Sequence, residues 1–558
     1  MLLLAVLSGC SHLDTSTPGD STRPEDVRVS VCNKELHRVS DLLFGQFMER
    51  PSWGGETGPE AALLPGTHTL DPRVEAMLRS MAIPIVRFPG GTDVDFTDWR
   101  NMVTDALGKD RGRPDSRGSH GNSITNAFGY DEYFRLASDL KWKSILVVNL
   151  HDGLLTDKTA AEAATNAAAL LAYCVGTEAT VPTEFHQWPA LRVANGHPTA
   201  YDVEYVQIGN ESWFWQGEMK KKHGDAWVTA WANAIQAYMA ALRRIQPGIK
   251  IIADGHPLEV SAELHRRHAG VDLFAQHRYY PLGIDGLFAA DGKKLPEAGV
   301  TPGQVWETLT HSTPTDADGL AEFRDDSIEQ ATRLGYRLAI TEWNLNTWWK
   351  LARGQELSPG PGACGLGAAV MVQALLRRSD TIALATQSML LGQTWGITGI
   401  RVHPQEGVAP TLQPTAEAVT LYNQHHGDQE LRVRYDSAPL LWHPAVKFNS
   451  NYRPHDWPCM QAMVVDVVAT RDRDHIYLHA INTDFDKPRR LSVRFDGFAG
   501  LPGKATLHRL RFHTATEYAT TNTWTTCEEV QIHSDEEARA IDLPPRSLTI
   551  VVIDLPAK

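Results

Sequence analysis

The sequence predicts a (β/α)8 barrel, the TIM barrel, followed by an antiparallel β-sandwich, and three observations predict it. Eight short β-type runs alternate with helical stretches between residues 40 and 391. Several of these runs are almost continuously apolar, as parallel strands buried on both faces must be. Beyond residue 427 the texture changes to alternating strands and turns without a long helix, the pattern of packed antiparallel sheets.

The first three runs are DLLFGQFME ending at Glu49, IPIVRFPGG ending at Gly91 and SILVVNL ending at Leu150. VEYVQIGNE ending at Glu211, KIIADG ending at Gly255 and DLFAQHRYY ending at Tyr280 come next. RLAITEWN ending at Asn344 and TIALATQSMLL ending at Leu391 complete the set. The stretches TAAEAATNAAALLAYC and AWVTAWANAIQAYMAALRRI between them have helical periodicity and good helix formers. Eight such alternations close into a barrel. Further on, MVVDVVAT and HIYLHAIN flank RDRD as a hairpin, and RRLSVRFDGF, KATLHRLRF and SLTIVVIDL follow. The early segment VRVSVC, Val27 to Cys32, alternates in the same way and is expected to pair with the C-terminal sandwich. The plan is a signal and tether over 1–25, a barrel over 40–427 and a sandwich over 428–558, with 26–39 contributing a strand to the last.

Of the 558 residues, 42% are hydrophobic and 22% charged, the balance of an ordinary globular chain with ample core. A net charge of -14 argues against nucleic acid as a partner and leaves neutral ligands open. Sixteen Trp supply flat apolar faces on which sugar rings stack as well as core mass. The opening run MLLLAVLSGC resembles a bacterial lipoprotein signal, with Leu7-Ser8-Gly9-Cys10 as its lipobox, although no Lys or Arg precedes it. A lipid anchor at Cys10 and a place in the bacterial cell envelope, periplasmic or outer surface, are the expectation. Ser11 to Glu25, rich in Ser, Thr, Asp and Pro, suits a disordered tether. The other cysteines, Cys32, Cys174, Cys364, Cys459 and Cys527, are scattered without a CxxC pair, so neither a metal site nor a full disulfide framework is expected. No cofactor is expected either.

In a TIM barrel the polar residues at the C-terminal ends of the strands line the active site. The fourth run ends Ile208-Gly209-Asn210-Glu211 and the seventh ends Thr341-Glu342-Trp343-Asn344. Two apolar strands that each terminate in a carboxylate, facing each other across the mouth, are what glycoside hydrolysis needs. One carboxylic acid protonates the leaving oxygen while the other carboxylate attacks or stabilises the anomeric carbon. A separation of about 5–5.5 Å would retain the configuration of the sugar.

These two motifs resemble the signature of clan A glycoside hydrolases, and the chain is more closely similar to the family 51 α-L-arabinofuranosidases. FGQFMER (44–50) resembles that family's FGHFxEH opening, and VRFPGGTDVDFTDW (86–99) its RxPGGxFxxxxxW segment. NAFGYDEYFRLASDL, VVNLHDG, the stretch 414–427 and LPPRSLTIVVIDL extend the likeness over nearly the whole chain from about residue 40. The resemblance implies Glu211 as acid/base and Glu342 as nucleophile, with Asn210 holding the sugar 2-hydroxyl. It implies that Glu49 binds sugar hydroxyls, that Tyr279 steadies the nucleophile, that His277 lies near the acid/base and that Gln387 contacts the sugar. It also implies a homo-oligomer.

The sugar-contact layer departs from the family. Thr92, followed by Asp93, stands where Asn is usual after PGG, Gln46 replaces a His, Arg50-Pro51 replace His-Leu, and Thr341 precedes EWN in place of an acidic residue. Thr92 and Asp93 are placed among the substrate-binding residues, and Trp213, Trp215, Trp348 and Trp349 follow the catalytic motifs as stacking walls of a pocket, with loop packing the alternative for each. The expected activity is an exo-acting, retaining α-L-arabinofuranosidase on arabinan, arabinoxylan or their oligosaccharides. The alternatives are a related retaining hydrolase for another furanoside, a β-xyloside or a β-glucan, and, from a different class, a non-catalytic glycan-binding lipoprotein.

Overall fold

The computed structural model describes residues 25–51, 55–284, 286–289, 291–296, 300–349, 361–393, 397–403, 407–444, 447–449, 461–499, 501, 504–514 and 525–556. Cys10, Cys459 and most of the tether lie outside the described residues, as do the side chains of Trp348 and Trp349.

Eight parallel strands close a barrel in chain order: Gly45–Phe47, Ile85–Phe88, Lys143–Val148, Tyr205–Ile208, Lys250–Asp254, Leu273–Ile284, Leu338–Trp349 and Ile382–Ser388. Each falls within or overlaps one of the eight runs. Period-two alternation sorts their side chains. Ile85, Ile145, Tyr205, Ile252, Leu273, Ala275, Ala339 and Leu384 form one cluster that plugs the barrel interior. Val86, Phe88, Leu146, Val148, Val206 and Ile208 belong to the larger core shared with the surrounding helices. Two residues above the plug on the same inward rows stand Arg87 and Gln207, so the same alternation that builds the plug puts polar groups on top of it.

The two helical stretches named from the sequence form Ala160–Val175 and Trp227–Ile245. Thr159 starts the first with a capping box, accepting from the Glu162 N–H while the Glu162 carboxylate accepts from the Thr159 N–H. Cys174 is fully buried in this helix.

The sixth and seventh strands run past the expected ends at Tyr280 and Asn344. They stay paired as far as Asn346 with Leu282 and Trp349 with Ile284, which raises a two-stranded wall beyond the barrel mouth. The seventh strand also carries a bulge. Ile340 pairs with Gln276 and Glu342 pairs with His277, so Thr341 is the extra residue. A bulge of this kind re-aims a side chain. Without it, alternation would send Thr341 and Glu342 to opposite faces of the strand.

Apart from the short strands Leu441–Trp442, Lys447–Asn449 and Ala462–Met463, the described C-terminal strands join Glu25–Arg38 in one continuous nine-stranded sheet. It curls round a core to which all nine strands except Thr525–Ile532 bring several residues, Val29, Leu431, Val467, Leu478, Leu491, Leu507, Ile541 and Val551 among them. The N-terminal strand Glu25–Arg38 lies inside this sheet, antiparallel to Gln429–Tyr435 and parallel to Arg489–Asp496. That parallel pair is the one exception to antiparallel order among the described strands of this sheet. The barrel docks on the sheet through the helix Pro361–Arg377. There the Arg377 guanidinium forms a buried pair with Asp466, donating to Asp466 Oδ2 at 3.0 Å, and a Cβ at Gly365 would lie 2.5 Å from the Phe512 ring.

Candidate active site

The C-terminal ends of the barrel strands converge on Arg87, whose side chain is fully buried. Its guanidinium donates from Nε to Gln207 at 2.8 Å, from Nη1 to Glu342 Oε1 at 2.9 Å and from Nη2 to Asn210 Oδ1 at 2.5 Å, and it lies 4.5 Å over the Phe47 ring. A planar fork of fixed donors can hold three partners from different strands in one geometry, which a flexible ammonium cannot. The other oxygen of Glu342 accepts from the Tyr279 hydroxyl at 2.8 Å, and Ser388 lies 2.8 Å from that hydroxyl. The two oxygens of Glu342 are thus oriented by one donor each.

Glu211 approaches from the fourth strand with its side chain 24% exposed. Its backbone is left-handed, φ 49°, which costs a non-glycine residue about 1 kcal/mol. Two buried carboxylates hold the turn in that shape. Asp95 accepts the Asn210 N–H at 3.1 Å, and Asp254 accepts the Ser212 N–H at 2.8 Å and the Ser212 hydroxyl at 2.5 Å. Asp95 also accepts the N–H groups of Leu150 and His151, at 2.6 and 3.2 Å, and so ties the ends of three strands together. Burial pushes the Asp95 carboxyl up to about 7 and that of Asp254 up to about 6.

His277 bridges the two glutamates. Its Nδ1 is 3.0 Å from Glu211 Oε1 and 3.5 Å from Glu342 Oε2, and its Nε2 is 3.1 Å from Thr341 Oγ1. The bulge makes this possible, because Thr341 and Glu342 both reach His277. Burial pushes the imidazole down to about 3, so it is neutral and carries one N–H. Burial also pushes the Glu211 carboxyl up to about 7, with the Arg87 charge opposing the rise. Protonated Glu211 donates to Nδ1, and the ring N–H then faces Thr341; ionised Glu211 accepts from Nδ1. The imidazole tautomer follows the proton on Glu211.

Burial and the Glu342 charge raise the Tyr279 hydroxyl well above its ordinary range, so it remains a donor. One ligand-type atom from each of Glu211, His277 and Glu342 lies within 4.8 Å of the others. A cation could bridge that spacing, but Arg87 already places positive charge on Glu342, so the electrostatic need a metal would meet is supplied by the chain itself.

The remaining sequence-derived residues divide. Asn210 joins the network, and its buried Nδ2 has no protein partner, which leaves a donor for a ligand. Glu49 is buried with its carboxylate against the PGG turn. A Cβ at Gly91, where φ is 71°, would lie 1.7 Å from Glu49 Oε1, and one at Gly90 would lie 2.0 Å from the Phe47 ring. The two glycines are what let this turn close over Glu49 and Phe47. Gly91→Ala is expected to lower stability by roughly 2–4 kcal/mol through backbone strain and overpacking. Thermal unfolding beside Gly248→Ala, where a Cβ meets nothing within 4 Å, checks this.

Thr92 is half-buried on the same turn. Asp93 is buried, one oxygen accepting the Ser119 N–H at 2.7 Å and the other without a partner. Gln387 stands apart from the carboxylate pair. Its oxygen accepts from Gln46 at 3.1 Å and its amide donates to Thr415 Oγ1 at 2.6 Å, so each polar end already has one protein partner. Trp213 meets His277 edge-on at 5.1 Å, and Trp215 meets His151 at 5.0 Å.

Three residues central to this geometry, Arg87, Asp95 and Asp254, are given no role by the sequence reading, although Arg87 lies in the VRFPGG segment and Asp254 ends the fifth strand. Arg87 has a signal nonetheless, as a lone charge inside the apolar run IPIVRF.

Residues 77–281, which include Glu211 but not Glu342, match the α-L-arabinofuranosidase 1 domain. An Aspergillus flavus protein named as a probable α-L-arabinofuranosidase C is 24% identical over 507 residues, covering 87% of this chain and 88% of that one. An intracellular exo-α-(1→5)-L-arabinofuranosidase of Bifidobacterium longum is 24% identical over 543 residues, covering 90% and 86%. The chain is thus similar to the family 51 α-L-arabinofuranosidases over most of its length, which supports glycoside hydrolase activity. Solved family 51 enzymes share the fold. The family 51 enzyme of Thermotoga petrophila superposes with a TM-score of 0.67 at 20% identity, over 94% of this chain and 99% of that one. The family 51 enzyme of Xanthomonas axonopodis pv. citri superposes with the same score and identity, over 95% and 99%.

Proposed function

We propose that the chain is an exo-acting, retaining α-L-arabinofuranosidase on arabinan, arabinoxylan or their oligosaccharides. The observation that carries this reading is the approach of Glu211 and Glu342, with carboxylate oxygens within 4.8 Å. That closeness favours direct attack by a carboxylate over an intervening water, which requires a separation of about 6.5–9.5 Å.

In the first step Glu342 attacks the anomeric carbon while Glu211, protonated near neutral pH, gives its proton to the departing oxygen. Arg87 and Tyr279 aim the nucleophile, and Asn210 Nδ2 is a free donor for a ring hydroxyl beside the reacting carbon. Esterification then removes the charge on Glu342. The Arg87 charge is left uncompensated and acts on Glu211, which favours its ionised form. Glu211 now takes a proton from water, the water attacks the anomeric carbon from the face the leaving group vacated, and the sugar is released with its original configuration. Delivery to the cell envelope through Cys10 is part of the proposal and is supported by the lipobox-like residues alone.

The test is a panel of nitrophenyl glycosides with the first-formed anomer followed by NMR. The expected result is hydrolysis of the α-L-arabinofuranoside at least a hundredfold faster than of the β-xyloside or β-glucoside, on the order of 3 kcal/mol of discrimination, with retention. Turnover of another sugar alone, or inversion, would overturn the assignment.

A further inference from the structure

His311, His425, His479 and His508 meet ring faces across the junction between the barrel and the C-terminal region. His425 follows the last barrel helix, Pro414–Gln424, and stacks on His508 of the sheet strand Ala505–Phe512, with centroids 3.7 Å apart and planes inclined by 21°. Nearly one turn earlier, Tyr422 stacks on His479 of the strand His475–Asn482 at 5.1 Å and 16°. His311 ends the helix Pro302–Thr310, between the sixth and seventh barrel strands. It stacks on Trp442 at 4.1 Å and 8°, and its Nε2 lies 3.1 Å from Oγ1 of Thr483, the residue after His475–Asn482. Parallel faces this close suit uncharged rings, and two imidazolium ions at the His425–His508 spacing would repel.

The surroundings hold these rings neutral. Burial pushes His425 and His311 down to about 4 and His479 to about 3, and it lowers His508. His426 and His508 both act on His425 with like charge, and His425 and His426 do so on His479. Glu529 faces His508 and Asp484 acts on His311, but neither carboxylate outweighs burial, and Asp484 is already paired with Arg489 at 2.5 Å. His426 Nε2 lies 3.2 Å from Asp41 Oδ1, which gives its charged form a partner on the barrel side. His37, paired with Glu430 at 2.6 Å and in contact with the Leu376 carbonyl of the docking helix, is raised instead and works in the opposite sense.

We propose that this junction is an acid-sensitive clasp whose opening uncouples the sheet from the barrel in mildly acidic surroundings. Above the ordinary imidazole value of about 6.5 the four rings are uncharged whether the faces are together or apart, so closure is at full strength. As the pH falls below that value, separated faces take up protons that the closed junction refuses. Closure therefore weakens progressively toward about pH 4, where the closed rings themselves begin to charge. The His425–His508 pair responds first, because both rings are half-buried and within reach of solvent, whereas His311 and His479 are enclosed.

The experiment follows amide hydrogen exchange in the full unmodified chain from about pH 7.5 to about pH 5, normalised for the intrinsic pH dependence of exchange. Peptides over 414–427 and 505–512 are expected to lose protection roughly tenfold, while the barrel helices Ala160–Val175 and Trp227–Ile245 keep theirs. Unchanged protection at the junction, or an equal loss in those barrel helices, overturns the proposal. The double variant His425→Phe, His508→Phe supplies stacked rings without a titratable nitrogen. It is expected to match the unmodified chain in unfolding midpoint at neutral pH and to exceed it by about 2–4 °C at about pH 5. An acid-induced fall in midpoint that the double variant leaves untouched also overturns the clasp. Should that variant fail to fold, the exchange measurement decides alone. Neither readout requires a glycoside to be cleaved.

Discussion

Glu342→Gln is expected to lower kcat about ten-thousand-fold while leaving the protein folded, the scale reached when a reacting group is removed from a preorganised site. The amide keeps the volume of the carboxylate, and its oxygen can still accept from Arg87, so the network of Gln207, Asn210 and Arg87 has no cause to collapse. What is lost is the lone pair that forms the bond to the anomeric carbon. Steady-state rates on an activated aryl furanoside, together with an unchanged unfolding midpoint, check the expectation. Activity within tenfold of the unmodified chain would remove Glu342 from the mechanism.

The second expectation concerns Glu211→Ala, and its signature is selectivity. Proton donation matters when the leaving oxygen is basic. Loss of the acid should therefore cost about a thousandfold on a natural glycoside and far less on a dinitrophenyl one. Azide, which needs no base to attack, should restore turnover and yield a glycosyl azide with the configuration of the substrate. The pH profile gives an independent reading. Burial lifts this carboxyl to about 7, so the acid is present below that pH and is lost as the pH rises through it. The unmodified chain should show kcat/KM falling above about pH 7, and Glu211→Ala should lose that alkaline limb. An alkaline limb that persists in the variant would assign the titration to another group.

Much of this arrangement is legible in the sequence because two periodicities state it. Buried parallel strands are apolar on both faces, so their ends, where polar residues begin, are conspicuous, and Glu211 and Glu342 are read at such ends, whereas His277 and Tyr279 are named only through the family resemblance. Gln387 too is named through the resemblance, but its partners are not, since nothing local foretells that Gln46 and Thr415 will take its amide. The bulge at Thr341 is hidden for a different reason. Strict alternation assigns Thr341 and Glu342 to opposite faces, and only the pairing with the sixth strand reveals that both turn inward. The strand Thr525–Ile532 escapes the reading as well. It is mostly exposed at the edge of its sheet, so the sequence TTCEEVQI has no buried face to impose a pattern. Asp95 and Asp254 work through backbone groups and neighbouring side chains, and such roles leave no spacing to recognise, whereas Arg87 is visible as a lone charge in an apolar run.

The strand Glu25–Arg38 carries a consequence for the order in which the molecule is made. It pairs on one side with Gln429–Tyr435 and on the other with Arg489–Asp496, partners roughly 400 positions further along the chain. During synthesis this segment is made well before either of its partners. The barrel can assemble from neighbouring β-α units while its own leading strand waits with both edges unpaired, and contacts of such long sequence separation form slowly. A fragment that starts at the barrel would deprive the sheet of an interior strand, so the two halves of the protein cannot be treated as interchangeable modules.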